Sequence, residues 1–407
     1  MYRMLKARRD AMKDDVVGFA QELVRTPSPS FQERGVAAIV EAGMKSAGFD
    51  NIFTDDAGNV IGVMYGRENG PNLLLLSHMD SCPHDASAWK RHPFSGEISD
   101  GRLWGLSASD CKGGLAAQIF AAALLRRAIL PLQGSLIVAA TVAEEKWGSI
   151  GVRALMQRTL PALGLEPAYA VLGEPTGLGI YYGHDGWMEI DACIRGANPF
   201  HVGDAAEAVA RRLGSRPWAA EGGKSAEFHV QNLSYAQSEG LRRATIRMAR
   251  RLSVPENVAR VLEQVKSDAL EVATSTGAVA VDVAVHEESQ MLYTGHTTVA
   301  RHVLSAWETD PFCPLMERTR HALSAAGLEA KPGKWRLGKA GMGTAGGVLM
   351  RDFSVPAIGY GPGDEDVAHG PDEYAETDAI AEATLGTAVI AHALVGVPVY
   401  GWTSDEI

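Results

Sequence analysis

The alternation of short apolar segments with amphipathic ones through the first 180 residues most restricts how this 407-residue chain folds. Short apolar runs predict strands, and apolar residues that recur every three or four positions predict helices. Strands and helices in this order indicate an α/β domain with helices on both faces of a sheet. We predict strands at 60–65, 73–76, 136–141 and 168–172 and helices at 15–24, 33–47, 114–128 and 150–158.

The pattern changes near residue 180. The stretch GIYYGHDGWMEIDACIRG (179–196) alternates like an antiparallel strand, and GDAAEAVARRL (203–213) has helical spacing. An α/β pattern returns after AVAVDVAVHEE (278–288), with a helix near 315–326 and a strand at PAIGYG (356–361). We therefore predict a discontinuous domain of residues 1–180 and 308–407, interrupted by an α+β domain at 181–307.

Composition and charge exclude several classes of protein. The net charge of −11 disfavours nucleic acid and anionic membranes as partners. The N-terminus lacks the apolar core of a secretory signal, and Glu382, His392 and Pro398 interrupt the apolar stretch 379–399, which indicates a core helix. The four cysteines include no CxxC pair, so reduced thiols are the simplest interpretation. We predict a cytoplasmic protein.

Acids and histidines follow the predicted strands. In an open α/β sheet, functional side chains gather at the carboxyl ends of the strands. Each of these residues has an ordinary structural interpretation when taken alone, and Asp110 in particular can cap the helix that follows it. The set, in chain order, is His78, Asp80, Asp110, Glu144, Glu145, Glu174 and His369.

Taken together, these side chains form a metal-ligand set. Two histidines and three carboxylates at one sheet edge suit zinc, manganese or cobalt. The remaining acids then have roles: Asp80, two residues from His78, orients that imidazole. Glu144, beside a ligand carboxylate, serves as general base for metal-activated water. We predict one or two divalent transition metal ions as cofactors.

The order of these motifs resembles the metallopeptidase family of aminoacylases, acetylornithine and succinyl-diaminopimelate deacylases and glutamate carboxypeptidases. The chain supplies HMD at 78–80, DCKGG at 110–114, EE at 144–145, EPT at 174–176 and a late H…E at 369–373. The resemblance covers nearly the whole chain. Its GYGPG…AH ending is most similar to the branch of selenium-metabolism hydrolases.

The resemblance assigns the metal ligands individually. It implies that His78, Asp110 and Glu174 hold one metal. It further implies that His369, Asp110 and Glu145 hold the other, with Asp110 bridging the two. The implied fold is a zinc-peptidase-like catalytic domain with a mixed central sheet flanked by helices.

The inserted domain, 181–307, is implied to be a lid and the interface of a homodimer or higher homo-oligomer. His201 best matches the family's lid histidine, which helps to stabilise the tetrahedral intermediate, although the serine and proline that follow it in the family are absent from this chain. Arg251 best matches the arginine of the lid motif D-x-R and is assigned to substrate binding. The family's G-R-G is Gly-Leu-Ser at 105–107, and its methionine after the bridging aspartate is Cys111.

The segment GMGTAG (341–346) formally fits a dinucleotide-binding fingerprint. Such a fingerprint follows a hydrophobic strand, whereas this one follows KPGKWRLGKA (331–340). We interpret Gly343 and Thr344 as donors to a substrate carboxylate. A purely structural glycine loop is the alternative.

The predicted function is metal-dependent hydrolysis of a C–N bond, namely the amide of an N-acyl amino acid or a dipeptide-like small carboxylate. Glu144 is the predicted base, Asp80 the orienting residue and His201 the oxyanion donor. One alternative is hydrolytic deamination of a carboxylated aromatic amine on the same site, as in a nitroanthranilate aminohydrolase. A non-catalytic small-molecule binder and a nicotinamide-dependent oxidoreductase are further alternatives.

Overall fold

The structure, a computed structural model, describes the chain except for residues 68–69, 147, 215–217, 220–224, 239–240, 255, 277–279, 337–342 and 398–407. It divides into two compact units. The first comprises Met1–His184, Met291–Thr298 and Glu308–Ile407, and the second comprises Asp185–Gln290 and Val299–Trp307.

Helices and strands are numbered separately, each in chain order. The helices are α1 (Tyr2–Arg25), α2 (Arg34–Ala47), α3 (Gly113–Arg127), α4 (Ile150–Ala154), α5 (Leu160–Ala162), α6 (Pro199–Gly214), α7 (Val258–Ser275), α8 (Pro314–Ala325), α9 (Gly346–Asp352) and α10 (Thr377–Val395). The strands are β1 (Asn51–Thr54), β2 (Val60–Met64), β3 (Asn72–His78), β4 (Glu97–Ser99), β5 (Arg102–Trp104), β6 (Leu136–Thr141), β7 (Pro167–Leu172), β8 (Ile180–Tyr181), β9 (Gly183–His184), β10 (Gly186–Gly196), β11 (Trp218–Ala219), β12 (Ser225–Ala226), β13 (His229–Ser238), β14 (Leu241–Leu252), β15 (Ala280–Val285), β16 (Glu287–Met291), β17 (Thr297–Arg301), β18 (Val303–Leu304), β19 (Trp307–Glu308), β20 (Pro332–Gly333), β21 (Ala357–Gly359) and β22 (Tyr374–Glu376).

An eight-stranded mixed sheet forms the centre of the first unit, in the order β1-β2-β6-β3-β7-β21-β8-β20. Strand β3 runs parallel to both β6 and β7, whereas β2 runs antiparallel to β6. The side chains of Leu73–Leu76 are buried, as expected for a parallel strand covered on both faces. This confirms the predicted α/β class.

The first unit extends beyond the predicted limits at two places. Tyr181 pairs with Gly359 in the central sheet. The Tyr293 hydroxyl donates to the Gly58 carbonyl (2.8 Å). Because of these contacts, Tyr181–His184 and Met291–Thr298 lie with the first unit instead of the predicted 181–307 insertion.

Helix α10 lies in the core of the first unit, where it packs against α1, α3 and α8. Among the described residues it is the one helix long and apolar enough to cross a bilayer, and 72% of its apolar stretch is buried within the protein. That burial is typical of a core helix.

The second unit has two layers. Its sheet has the order β13-β14-β10-β15, with β18 also paired to β10. Helices α6 and α7 pack on this sheet around an apolar core that includes Ile190, Val209, Ile246 and Val265. The arrangement is the α+β type.

Close packing at the start of α3 leads to a stability prediction. A Cβ on Gly114 would lie 1.7 Å from the carbonyl oxygen of Gly173, the residue before Glu174. We expect Gly114→Ala to lower the free energy of unfolding by about 1–3 kcal/mol or more, because backbone must move to admit the methyl group. Urea denaturation measures this change.

The matched control for that variant is Gly18→Ala. Gly18 lies on the exposed face of α1, and its Cβ would meet nothing within 4 Å. Alanine there is expected to stabilise the protein by about 0.5–1 kcal/mol, since glycine loses more backbone entropy in a helix. Equal stabilities for the two variants would contradict the close-packing argument.

Candidate metal centre

His78 ends β3 at the sheet edge where predicted. The parallel partner β6 ends beside it, and the backbone N–H of Met79 donates to the Thr141 carbonyl (2.9 Å). His78 Nε2 lies 3.2 Å from Asp110 Oδ1 and 3.9 Å from Glu174 Oε2. The structure thus brings together His78, Asp110 and Glu174, which were predicted to hold one metal.

The second predicted ligand set meets on the other side of Asp110. His369 Nε2 lies 2.9 Å from Asp110 Oδ2 and 3.1 Å from Glu145 Oε1. Asp110 therefore directs one carboxylate oxygen at each histidine. This is the geometry that a bridging ligand between two ions requires.

Asp80 connects the two strand ends. Its Oδ1 accepts from the Glu144 N–H (3.1 Å), and its Oδ2 accepts from the Glu145 N–H (3.1 Å) and the Ser30 hydroxyl (2.7 Å). Asp80 Oδ1 also lies 3.4 Å from His78 Nδ1. Burial raises the pKa of Asp80, but the neighbouring His78, together with the hydrogen bonds from Ser30 and Glu144, outweighs burial and holds this pKa below its usual value. Asp80 thus positions both the His78 imidazole and the Glu144–Glu145 segment.

The environment of Glu144 raises its pKa. Burial raises its pKa to about 8, and the carboxylates of Glu145 and Asp110 act in the same direction, although His78 opposes them. A general base works best when its pKa lies near the operating pH. The local charges therefore suit Glu144 to accept and return a proton.

The segment that carries Asp110 is held by a fully buried carboxylate. Glu373 accepts backbone hydrogen bonds from Ser107 (3.1 Å), Ser109 (2.8 Å) and Asp110 (3.0 Å). The peptide bond between Asp110 and Cys111 is cis. Glu373 thus fixes the backbone from which the shared ligand projects.

Lys112 also anchors the segment that carries Asp110. Its Nζ is buried and donates to the carbonyls of Leu23 (2.9 Å) and Thr26 (3.0 Å) at the end of α1. Burial lowers the pKa of Lys112 to about 7. The D-C-K motif therefore combines a metal-ligand candidate with a structural anchor.

We expect Glu373→Gln to destabilise the protein and to weaken metal binding. The amide places an NH2 group among backbone N–H donors, and an unsatisfied buried donor costs about 1–3 kcal/mol. Urea denaturation and elemental analysis measure the two effects. The control is Glu376→Gln, whose side chain is 60% exposed and whose expected change is within about 0.5 kcal/mol. Identical unfolding curves would contradict the proposed anchoring.

The charge and the donor atoms of the centre fit divalent metal ions. Burial lowers the pKa of His369, but Glu145 and Asp110 outweigh it and raise this pKa above its ordinary value, so positive charge between the carboxylates is favourable. Glu145 Oε1 is buried and lies 3.1 Å from His369 Nε2, so two metal-donor atoms face each other there. The imidazole and carboxylate donors suit zinc, manganese or cobalt.

The predicted residues outside this centre are placed as follows. His201 is exposed on α6 and Arg251 is exposed on β14, both in the second unit. Thr344 is fully buried: its N–H donates to His184 Nε2 (2.9 Å), and its hydroxyl lies 3.0 Å from the same atom. Gly343 is half-buried. The roles assigned to these four residues stay predictions.

Two further residues at the centre were missed from the sequence. Cys82 lies close to Glu145 and His369, and its position two residues after Asp80 was a usable signal. Glu33 is fully buried and accepts from the Ala143 N–H (3.0 Å). The sequence held no signal for Glu33, because Ala143 lies 110 positions away.

Comparison with known proteins gives consistent matches. A family model described as Peptidase family M20/M25/M40 matches residues 74–395. The uncharacterized protein YgeY of Escherichia coli strain K12 is 25% identical over 398 residues, covering 91% of this chain and 92% of the relative. A succinyl-diaminopimelate desuccinylase of Methylobacterium radiotolerans is 33% identical over 172 residues, covering 41% of this chain and 44% of the relative.

A solved structure supports the same architecture. The Bacillus subtilis protein YXEP, described as a dinuclear metal-binding peptidase, superposes with a TM-score of 0.67 at 16% identity, covering 94% of this chain and 98% of that chain. At this level of identity the likeness shows the fold.

Proposed function

The chain belongs to Peptidase family M20/M25/M40 and is a metal-dependent hydrolase of C–N bonds, and we propose that it cleaves the amide of a small carboxylate-bearing substrate. N-acyl amino acids and dipeptide-like molecules are the proposed class. The observation that carries this proposal is Asp110, whose two oxygens lie 3.2 Å and 2.9 Å from Nε2 of His78 and of His369.

We propose metal ligands for two positions in this chain. His78, Asp110 and Glu174 would hold one ion, and His369, Asp110 and Glu145 would hold the other. When bound, the ions polarise the substrate carbonyl and lower the pKa of water. We propose zinc, manganese or cobalt, because the donors are imidazole and carboxylate.

The chain's own groups move the proton. Glu144 takes a proton from the attacking water and returns it to the leaving nitrogen, and its raised pKa supports both transfers. Asp80 keeps the Glu144 backbone and the His78 imidazole in place through its Oδ1. His201 is proposed to stabilise the oxyanion, and Arg251, Thr344 and Gly343 to bind the substrate carboxylate.

The proposed substrate class rests on the relatives of this chain as well as on its candidate site. The desuccinylase named above carries in its name an N-succinyl substrate, and the similarity to it spans 44% of its length. Removal of an acyl group from an amine is amide hydrolysis, which the proposed centre supports.

The test is a screen of the metal-reconstituted enzyme with product masses as the readout. N-acyl amino acids, dipeptides, carbamoyl compounds and aminobenzoates are the substrates. Release of an acid and an amine from one of the first two classes is the expected result. Ammonia release from an aminobenzoate would favour hydrolytic deamination instead. Metal binding without turnover on any class would favour a non-catalytic binder.

Assembly and location are further parts of the proposal. We propose a cytoplasmic homodimer or higher homo-oligomer joined through residues 181–307, with neither nucleic acid nor membrane as a partner. The net charge of −11 supports the exclusion of polyanionic partners. Analytical ultracentrifugation tests the assembly, and a monomer at micromolar concentration would contradict it.

A further inference from the structure

Cys82 lies at the second metal-ligand set, just beyond the end of β3. The Cys82 Sγ, a Glu145 carboxylate oxygen and a His369 ring nitrogen lie within 4.8 Å of one another. The Cys82 side chain is 7% exposed. Three ligands of one ion, each about 2.0–2.3 Å from it, lie no more than about 4.6 Å apart. The spacing of these atoms is therefore close to that of a common coordination sphere.

Glu145 provides a second, independent indication of a ligand at this place. Its side chain is 5% exposed, and its buried Oε1 lies 3.1 Å from Nε2 of His369, the other donor of this set. A buried carboxylate is costly unless opposite charge or hydrogen bonds compensate it. The facing oxygen and nitrogen thus mark a place for a cation beside which Cys82 lies.

The other cysteine at the centre is engaged differently. Cys111 Sγ accepts from the His78 N–H (3.2 Å) and contacts the His78 carbonyl (3.5 Å). These contacts hold the turn against β3, which is a structural task. Cys111 Sγ also lies within 4.8 Å of ligand atoms of His78, Asp110 and Glu174, so each buried thiol is grouped with one ligand set, and Cys82 is the one grouped with Glu145 and His369.

We propose that Cys82 is a sulfur ligand of the metal ion held by His369, Asp110 and Glu145. The inference rests on the proposed metal-dependent function and adds a donor to it. The position held by His369, Asp110 and Glu145 then has sulfur beside its nitrogen and oxygen donors. Thiolate donors favour zinc and cobalt over the harder manganese and magnesium ions. The position with Cys82 is therefore selective for the softer metals.

Cobalt titration of the purified full-length protein tests this role. Sulfur-to-cobalt charge transfer absorbs in the near ultraviolet, whereas nitrogen and oxygen ligation gives only visible ligand-field bands. We compare the unmodified protein with Cys82→Ser, Cys82→Ala and the control Cys193→Ser, which removes another buried thiol, on β10 of the second unit. Circular dichroism checks that each variant is folded.

The expected result is a near-ultraviolet band in the unmodified protein and in Cys193→Ser, and no such band in either Cys82 variant. We further expect one of two bound ions to bind about tenfold or more weakly in the Cys82 variants, with a lower preference for zinc over manganese. Two bound cobalt ions without a sulfur band in the unmodified protein would overturn the role of Cys82 and leave the metal-dependent hydrolase intact. Absence of any bound cobalt would contradict both.

Discussion

Replacement of Glu144 by glutamine is expected to lower kcat by roughly 10²- to 10⁴-fold while the metal content stays unchanged. The reason is that general acid–base catalysis contributes about this factor, and an amide cannot carry the proton. Glu144 is not among the proposed metal ligands, and its backbone N–H, which donates to Asp80 (3.1 Å), is retained in the variant. Steady-state kinetics on the best substrate of the screen, with elemental analysis of each preparation, measures the two quantities.

Glu166→Gln is the control for that substitution. Glu166 is exposed, just before β7, so its replacement is expected to leave kcat within about twofold and the stability within about 0.5 kcal/mol. Near-full activity of the Glu144 variant would contradict the assignment of this residue as the base. Loss of metal together with activity would instead place Glu144 among the ligands.

Replacement of Asp110 by asparagine is expected to remove bound metal from both positions and to abolish activity. In the proposed arrangement one side chain serves both ions, so the change would remove an anionic oxygen from each coordination sphere while leaving the shape of the residue intact. Since even supporting residues alter metal affinity by about 10–100-fold, a shared ligand is expected to exceed that range. Elemental analysis and competition with a chelating dye measure the loss.

Thermal unfolding gives an independent readout for the same variant. Metal at one hundred times its Kd stabilises a folded protein by about 2.7 kcal/mol, so added metal is expected to raise the Tm of the unmodified chain and not that of the variant. The control is Asp56→Asn, an exposed position whose response to metal is expected to match the unmodified chain. Normal metal content in Asp110→Asn would refute the bridging arrangement.

The sequence located the central strands well because their burial is continuous. Leu136–Thr141 was predicted to the residue, since all six of its residues are buried and the strand has no polar face to blur its limits. Helix α1 was underestimated: it begins at Tyr2 instead of residue 15, because the charges of its first turns conceal Leu5 and Met12, which are buried. Short-range patterns thus succeed where every side chain of an element has the same environment.

The residues of the candidate centre likewise differ in how far the local sequence predicts their contacts. His78 is the last residue of β3 and Glu174 comes shortly after β7, so the topology of an α/β sheet was enough to bring them together. The hydrogen bond from the Asp110 N–H to Glu373 joins residues 263 positions apart, and no local pattern encodes it. Cys82 was within reach of the strand-end argument, but a ligand set complete without sulfur gave no reason to include it.

If Asp110 bridges two ions as proposed, the two loading steps are interdependent. The first divalent ion would neutralise part of the charge on Asp110 and fix the direction of its second oxygen, so the second ion would meet a site that the first has shaped. By thermodynamic linkage the influence is mutual and equal in free energy. A titration curve for such a pair reports two macroscopic constants, and neither belongs to one position alone.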